Sequence, residues 1–267
     1  MTLKRRGLLA GLGGAALGAV SVVGGGRIAA AASEGTPLPF YGSGVSAVRP
    51  DGSVPGAASG GVVWSGPATP ARQLALTFDD GPHATWTPQV LAVLDRHDVP
   101  ATFFVRGDRL RVNGAILRDA SPRHEVGNHT WDHPDLGRLE YAACRDQLVR
   151  TSDEIHRVMR RAPALFRPPY GHLAGSTVLA AAELGLTSVL WSAQMHEDRF
   201  VEHPDGIVGD IRAQARPGAI ILAHDSGSPD RVVTIDHLDA IVEALVGDGF
   251  ELVTVSALCG LAGDPTT

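Results

Sequence analysis

The chain reads as an α/β domain, with parallel strands inside, helices outside and the sheet curled into a barrel. Two patterns predict this. From Gln73 onward, short apolar runs alternate with helical patterns, which implies a parallel sheet with crossover helices. Polar clusters fall just after several different strands, where barrel enzymes place their chemistry. No GxGxxG fingerprint and no internal repeat competes with that reading. With 267 residues, 44% apolar and 19% charged, one large core is expected.

Residues 1–32 read as an export signal rather than as fold. Lys4, Arg5 and Arg6 precede a Gly/Ala/Leu/Val stretch, and "AAAAS" at 29–33 offers a small-residue cleavage site. The paired arginines before Gly7-Leu8-Leu9 resemble a twin-arginine signal. A retained membrane anchor is the alternative, but the stretch is loaded with glycine, which favours cleavage. Residues 33–72, rich in Gly, Pro and Ala, read as a linker or arm.

The ordered series runs over 73–260. "LALTF" at 74–78 is a buried strand. Thr87-Pro88 opens a helix with Pro at its first position, and Val90, Leu91 and Leu94 share its inner face. "ATFFV" at 101–105 is the next strand. A helix over about 139–160 carries Leu148, Ile155 and Val158 or Met159 at helical spacing. A further helix covers 176–184 and stops at Gly185. "TSVLWS" at 187–192 and "AIILAH" at 219–224 are strands. Leu238, Ile241, Val242 and Leu245 mark a late helix, and "FELVTV" at 250–255 closes the series. Residues 261–267 form a tail.

The net charge of −6 and the absence of a basic run beyond the N-terminus, save "MRR" at 159–161, argue against nucleic acid as a partner. An uncharged glycan is compatible. The two cysteines, Cys144 and Cys259, are permitted a disulfide by export. Two separate buried thiols are equally consistent, and neither sits in a nucleophile motif.

Four strings could carry chemistry. In "TFDDGP" at 77–82 two adjacent carboxylates repel, and a turn needs only one of them. A cation favours both as anions. "GNHTWDHPDLGRL" at 127–139 holds His129 and His133. Four-residue spacing would put both on one face of a helical turn. With Asp79 or Asp80 they make a two-His, one-carboxylate set that leaves coordination positions open. The other aspartate is then free as a general base. "FRPPYGH" at 166–172 combines a stiff turn with Arg167, which can orient a carboxylate. "IILAHDS" at 220–226 ends a strand in His224, a candidate general acid.

In this order, "TFDDGP", "HTWDH", "RPPYG" and "ILAHD" resemble the NodB-type polysaccharide deacetylases, carbohydrate esterase family 4. The joining text resembles them too, over about 73–256. The resemblance implies a deformed (β/α) barrel of about seven parallel strands. It implies Asp79 as base, Asp80, His129 and His133 as ligands of a divalent metal, zinc by expectation, and Arg167 as the residue orienting Asp79. Tyr170 would stabilise the oxyanion through its backbone N–H. Leu222 would line the acetyl pocket, Pro168 would border the substrate, and His224 would be the acid.

One string departs. In "WSAQMHEDRF" at 191–200, Gln194 stands where the family's His-orienting Asp is expected. Glu197 falls near a second Asp, and Asp198 takes a Trp position. A neutral Gln can orient an imidazole but cannot stabilise its cation, so weakened activity is one expectation and compensation by Glu197 or Asp198 another. The function expected is secreted, metal-dependent deacetylation of N-acetylated sugars, peptidoglycan or chitin-like oligomers, by a monomer in the periplasm, cell wall or medium. The alternatives are an inactive glycan-binding homologue and an O-acetyl xylan esterase.

Overall fold

The structure, a computed structural model, describes residues 61–67, 71–120 and 122–261. The expected export signal, most of the expected linker and the last six residues lie outside the described residues.

In chain order the strands are β1 (Val62–Val63), β2 (Gln73–Asp79), β3 (Thr102–Val105), β4 (Glu125–Asn128), β5 (Leu165–Phe166), β6 (Thr187–Val189), β7 (Ala193–Gln194), β8 (Ile220–His224) and β9 (Glu251–Leu252). The helices are α1 (Trp86–Arg96), α2 (Gly107–Asn113), α3 (Ala115–Arg118), α4 (Tyr141–Met159), α5 (Gly175–Glu183), α6 (Gly206–Gln214), α7 (Val232–Gly247) and α8 (Val255–Cys259). Eight strands follow one path, β1-β6-β5-β4-β3-β2-β8-β7, and β9 pairs with the start of β2. Every strand pair is parallel. Just past β1, Ser65 bridges to Ala219 at the start of β8, and Gly66 N–H donates to Gly218 O at 2.8 Å. The sheet therefore curls back on itself as a half-barrel, the deformed barrel expected from the sequence.

The helical faces lie where periodicity puts them. Val90 and Leu94 of α1, and Leu238, Ile241, Val242 and Leu245 of α7, are fully buried against β2, β3 and β8. Each such side chain contributes about 1.5–3 kcal/mol by burial. Phe78 and Phe103 stack at 5.3 Å between ring centroids at the heart of this core. Leu148 and Ile155 bury the inner face of α4, and Arg160 ends that helix in a left-handed conformation at φ 61.

Four expectations need correction, and one open alternative is decided. Val62–Val63, inside the expected linker, pairs in the sheet with Ser188 and Val189. Two residues are too short to show alternation, so this strand was hidden. The helix at Thr87-Pro88 starts at Trp86, which leaves Pro88 in the first turn but not at its first position. "TSVLWS" is a strand only over 187–189. "FELVTV" is a strand only over 251–252, because Thr254 caps α8 by accepting from Ala257 N–H at 3.2 Å. The two cysteines are separate buried thiols, not a disulfide; burial pushes Cys259 up to about 12.

Candidate active site

Parallel pairing lines up the C-terminal ends of neighbouring strands. Asp79 ends β2 and stands opposite His224, which ends β8. Asn128 ends β4 and stands opposite Phe166 of β5, so His129 and Arg167 both emerge at the same rim. Neighbouring strands are about 4.8 Å apart, and residues distant in the chain meet there.

Arg167 is wholly buried, and each of its nitrogens is engaged. Nη1 donates to Asp79 Oδ1 at 2.8 Å and to Thr77 Oγ1 at 2.7 Å, while Nε donates to Val189 O at 3.2 Å and Nη2 to Leu190 O at 3.1 Å. Its face lies 4.1 Å from the Phe104 ring centroid. Burial lowers the guanidinium pKa and the Asp79 carboxylate opposes that shift. The pair holds Asp79 in one orientation, with Oδ2 directed to the His129 side at 3.7 Å from its Nε2.

His129 and His133 come together without a helix. The segment after β4 is a loop in which Thr130 and His133 both have φ 66, and only left-handed residues bend it so tightly. Thr130 N–H donates to Asn128 Oδ1 at 2.8 Å, His133 N–H to Thr130 Oγ1 at 3.1 Å and Trp131 N–H to Gln147 Oε1 at 2.8 Å. This corrects the helical-turn reading of the spacing. The two rings lie 5.0 Å apart. His129 Nδ1–H donates to Arg167 O at 2.7 Å, which turns the opposite nitrogen, Nε2, toward the two aspartates. Asp80 Oδ1 lies 3.8 Å from His129 Nε2 and 3.4 Å from His133 Nε2.

The donor set fits a divalent cation. One ligand atom each from Asp80, His129 and His133 lies within 4.8 Å of the others. Asp80 Oδ1 is buried and has no hydrogen-bond partner, a costly arrangement that a cation would relieve. Burial would raise the Asp80 carboxyl, but His129, His133, His224 and Arg106 outweigh it and hold it below its ordinary value. Burial, then the neighbouring His129, pushes His133 down to about 4. At neutral pH the set is therefore an anion with a neutral imidazole, the protonation state metal binding needs. Between the two aspartates left open by the sequence, Asp79 is committed to Arg167 and Asp80 is the free one.

Across the rim, His224 Nδ1 is buried with no hydrogen-bond partner and lies 3.9 Å from Glu197 Oε1. Glu197 is 1% exposed. It accepts from Arg231 Nη1 at 2.7 Å and from Thr234 Oγ1 at 3.1 Å. Burial raises its pKa, but His224 and Arg231 outweigh that and keep it ionised. No hydrogen bond joins Gln194 to His224; its Oε1 accepts from Trp191 Nε1 at 2.9 Å. The carboxylate beside His224 is thus Glu197, so an anion stands next to that imidazole although Gln194 is neutral.

Asp79, Asp80, His129, His133, Glu197 and His224 line a cleft of about 430 Å³, shared with Pro168, Tyr170, Leu222 and Asp198. Tyr170 has φ 60, is 60% exposed and packs its ring edge-on to His133 at 4.7 Å. Leu222 is buried in the floor. A cavity of about 580 Å³ opens beside Pro100 and Phe250, at the N-terminal ends of β3 and β9, and holds none of the expected site residues.

Sequence reasoning missed Thr77, Trp191, Arg231 and Asp225. Asp225 follows His224 in the quoted string "IILAHDS", but nothing there reveals that it is fully buried beneath the Asp-Asp turn. Its carboxyl bonds the Thr87 hydroxyl, and burial pushes it up to about 7. A Cβ on Gly81 would lie 2.2 Å from its Oδ2, which explains the glycine of that turn.

Comparison with known proteins gives the family. The polysaccharide deacetylase family profile matches residues 66–189. A peptidoglycan-N-acetylglucosamine deacetylase of Bacillus cereus is 33% identical over 196 residues, 73% of this chain and 70% of that protein. A chitooligosaccharide deacetylase of Bradyrhizobium is 38% identical over 201 residues, covering 70% of this chain and 90% of the relative. The crystal structure of a peptidoglycan N-acetylglucosamine deacetylase superposes with a TM-score of 0.71 at 31% identity, over 76% of this chain and 94% of that one. The chain belongs to the polysaccharide deacetylases of carbohydrate esterase family 4, hydrolases of carbon–nitrogen bonds other than peptide bonds.

Proposed function

We propose that the protein is an exported, metal-dependent deacetylase that removes acetyl groups from N-acetylated glycans, peptidoglycan or chitin-like oligomers. The observation that carries this is the convergence on one rim of an Arg167-held Asp79, an orphaned Asp80 beside two imidazoles, and His224 backed by Glu197. The relatives named above act on such glycans, and the basic, glycine-rich N-terminus supports export. No helix among the described residues is long and apolar enough to cross a membrane.

Asp80, His129 and His133 would hold the ion, and the two-nitrogen, one-oxygen set favours zinc. Bound there, it supplies Lewis acidity, polarising the acetyl carbonyl and lowering the pKa of water towards about 7. Asp79 takes a proton from the attacking water, with Arg167 fixing the angle of the carboxylate. The Tyr170 N–H donates to the carbonyl oxygen as it gains charge, a contribution of about 2.7–4 kcal/mol for such a donor. Leu222 and Pro168 border the acetyl group. His224 delivers a proton to the nitrogen as the C–N bond breaks, because an unprotonated amine leaves poorly. The products are acetate and a free amino sugar.

The test is acetate release from N-acetylglucosamine oligomers, peptidoglycan and acetylated xylan, with elemental analysis of the same preparation. Activity on the N-acetylated substrates, lost in Asp79→Asn and with a chelator, is expected. Release that survives both, or is confined to xylan, overturns the proposal.

A further inference from the structure

Resting on the deacetylase reading, we infer that Gln194 recognises substrate: its side-chain amide offers hydrogen-bond donors to a neutral oxygen of the glycan, a hydroxyl or an acetamido carbonyl. Gln194 ends β7 opposite Leu222 and lines the catalytic cleft. Its backbone is clamped from both sides by one side chain. Its N–H donates to Gln214 Oε1 at 3.0 Å, and its carbonyl accepts from Gln214 Nε2 at 3.0 Å. Gln214 is held in turn by Asp210 Oδ2 at 2.8 Å.

The orientation of the amide follows from chemistry. An indole N–H can only donate, so the Gln194 atom 2.9 Å from Trp191 Nε1 is the oxygen. The nitrogen, with two donor hydrogens, is the other end. Among the described residues no acceptor bonds it, although the residue is only half-buried in the cleft wall. A pair of donors repels an ammonium. The same cleft carries the carboxylates of Glu197, Asp198 and Asp230, which disfavour an anion. The neutral oxygens of an acetylated sugar satisfy both conditions.

Gln194→Glu isolates this contact. It has the same shape and keeps an acceptor for Trp191, but it replaces the donor with an oxygen anion. Steady-state kinetics on an N-acetylglucosamine tetramer should show KM raised about 5–20-fold, the loss of one hydrogen bond plus repulsion, with kcat within about threefold. Calorimetric binding of the tetramer to the Asp79→Asn protein, with and without Gln194→Glu, should weaken by a similar factor. Unchanged KM and affinity, or a fall confined to kcat, would overturn the inference while leaving the enzyme a deacetylase. A wild-type enzyme that neither binds nor deacetylates any acetylated glycan overturns the functional reading and this inference with it.

Discussion

Replacing Glu197 with glutamine probes how the acid is held. The substitution keeps the shape and an acceptor for Arg231 or Thr234, and it removes the charge. At an effective dielectric of about 20, unit charges at the 3.9 Å separating His224 Nδ1 from Glu197 Oε1 interact by about 4 kcal/mol. Arg231, 2.7 Å from the other oxygen, already offsets roughly half, leaving about 2 kcal/mol for the contact between Glu197 and His224. That corresponds to about a 30-fold loss in kcat. Folding also suffers, since Arg231 loses its partner; its side chain is 25% exposed, so the cost falls to about 1–3 kcal/mol, below that of a fully buried broken pair. Acetate release across pH, with a melting curve beside it, measures both. A rate of acetate release equal to the wild type's would make Glu197 a bystander.

Three further outcomes are expected. Thr77→Val leaves a hydrogen of Arg167 Nη1 without an acceptor in a dry interior, which costs about 1–3 kcal/mol; kcat should fall at least about tenfold with KM unchanged, whereas Thr77→Ser keeps the hydroxyl and the rate. Gly81→Ala forces a Cβ to 2.2 Å from Asp225 Oδ2, and the overpacking should lower stability by about 1–3 kcal/mol, seen as a reduced melting temperature that Asp225→Ala partly restores. His124, whose Nδ1 accepts from Ala101 N–H at 3.2 Å, is pushed by burial down to about 4. The unfolded chain therefore binds the extra proton first, and stability drops as pH falls from about 6.5 to about 4, by roughly 3 kcal/mol from this residue; urea titrations of His124→Asn should show a flatter slope over that window.

Much of the fold was legible because its signals are local. Buried parallel strands such as "LALTF" are unbroken apolar runs, and α7 repeats its apolar residues at helical spacing. The rim position of Asp79 and His224 followed from where those runs end, whereas β4 and β5, which bring His129 and Arg167 to the same rim, were not marked by the sequence. What was not legible depends on backbone angles and distant partners. The His129–His133 loop needs left-handed residues at Thr130 and His133, which spacing cannot reveal. Gln194 and Glu197 lie three positions apart, and only the folded chain shows that Glu197, in the turn after β7, is the one 3.9 Å from His224 Nδ1. Thr77 looked like a strand residue, yet its hydroxyl donates to Ile221 O at 2.7 Å and accepts from Arg167. Val62–Val63 joins the sheet through partners far along the chain, so its own composition hid it.

The central claim is that a divalent ion seats on Asp80, His129 and His133 while Asp79 stays on Arg167. Anomalous diffraction at the zinc edge, from crystals of the zinc-loaded protein, tests it most directly. A single strong peak about 2.0–2.2 Å from an Asp80 oxygen and from Nε2 of both imidazoles is the predicted result. A peak held by Asp79 in place of Asp80, or none at this rim, would contradict it.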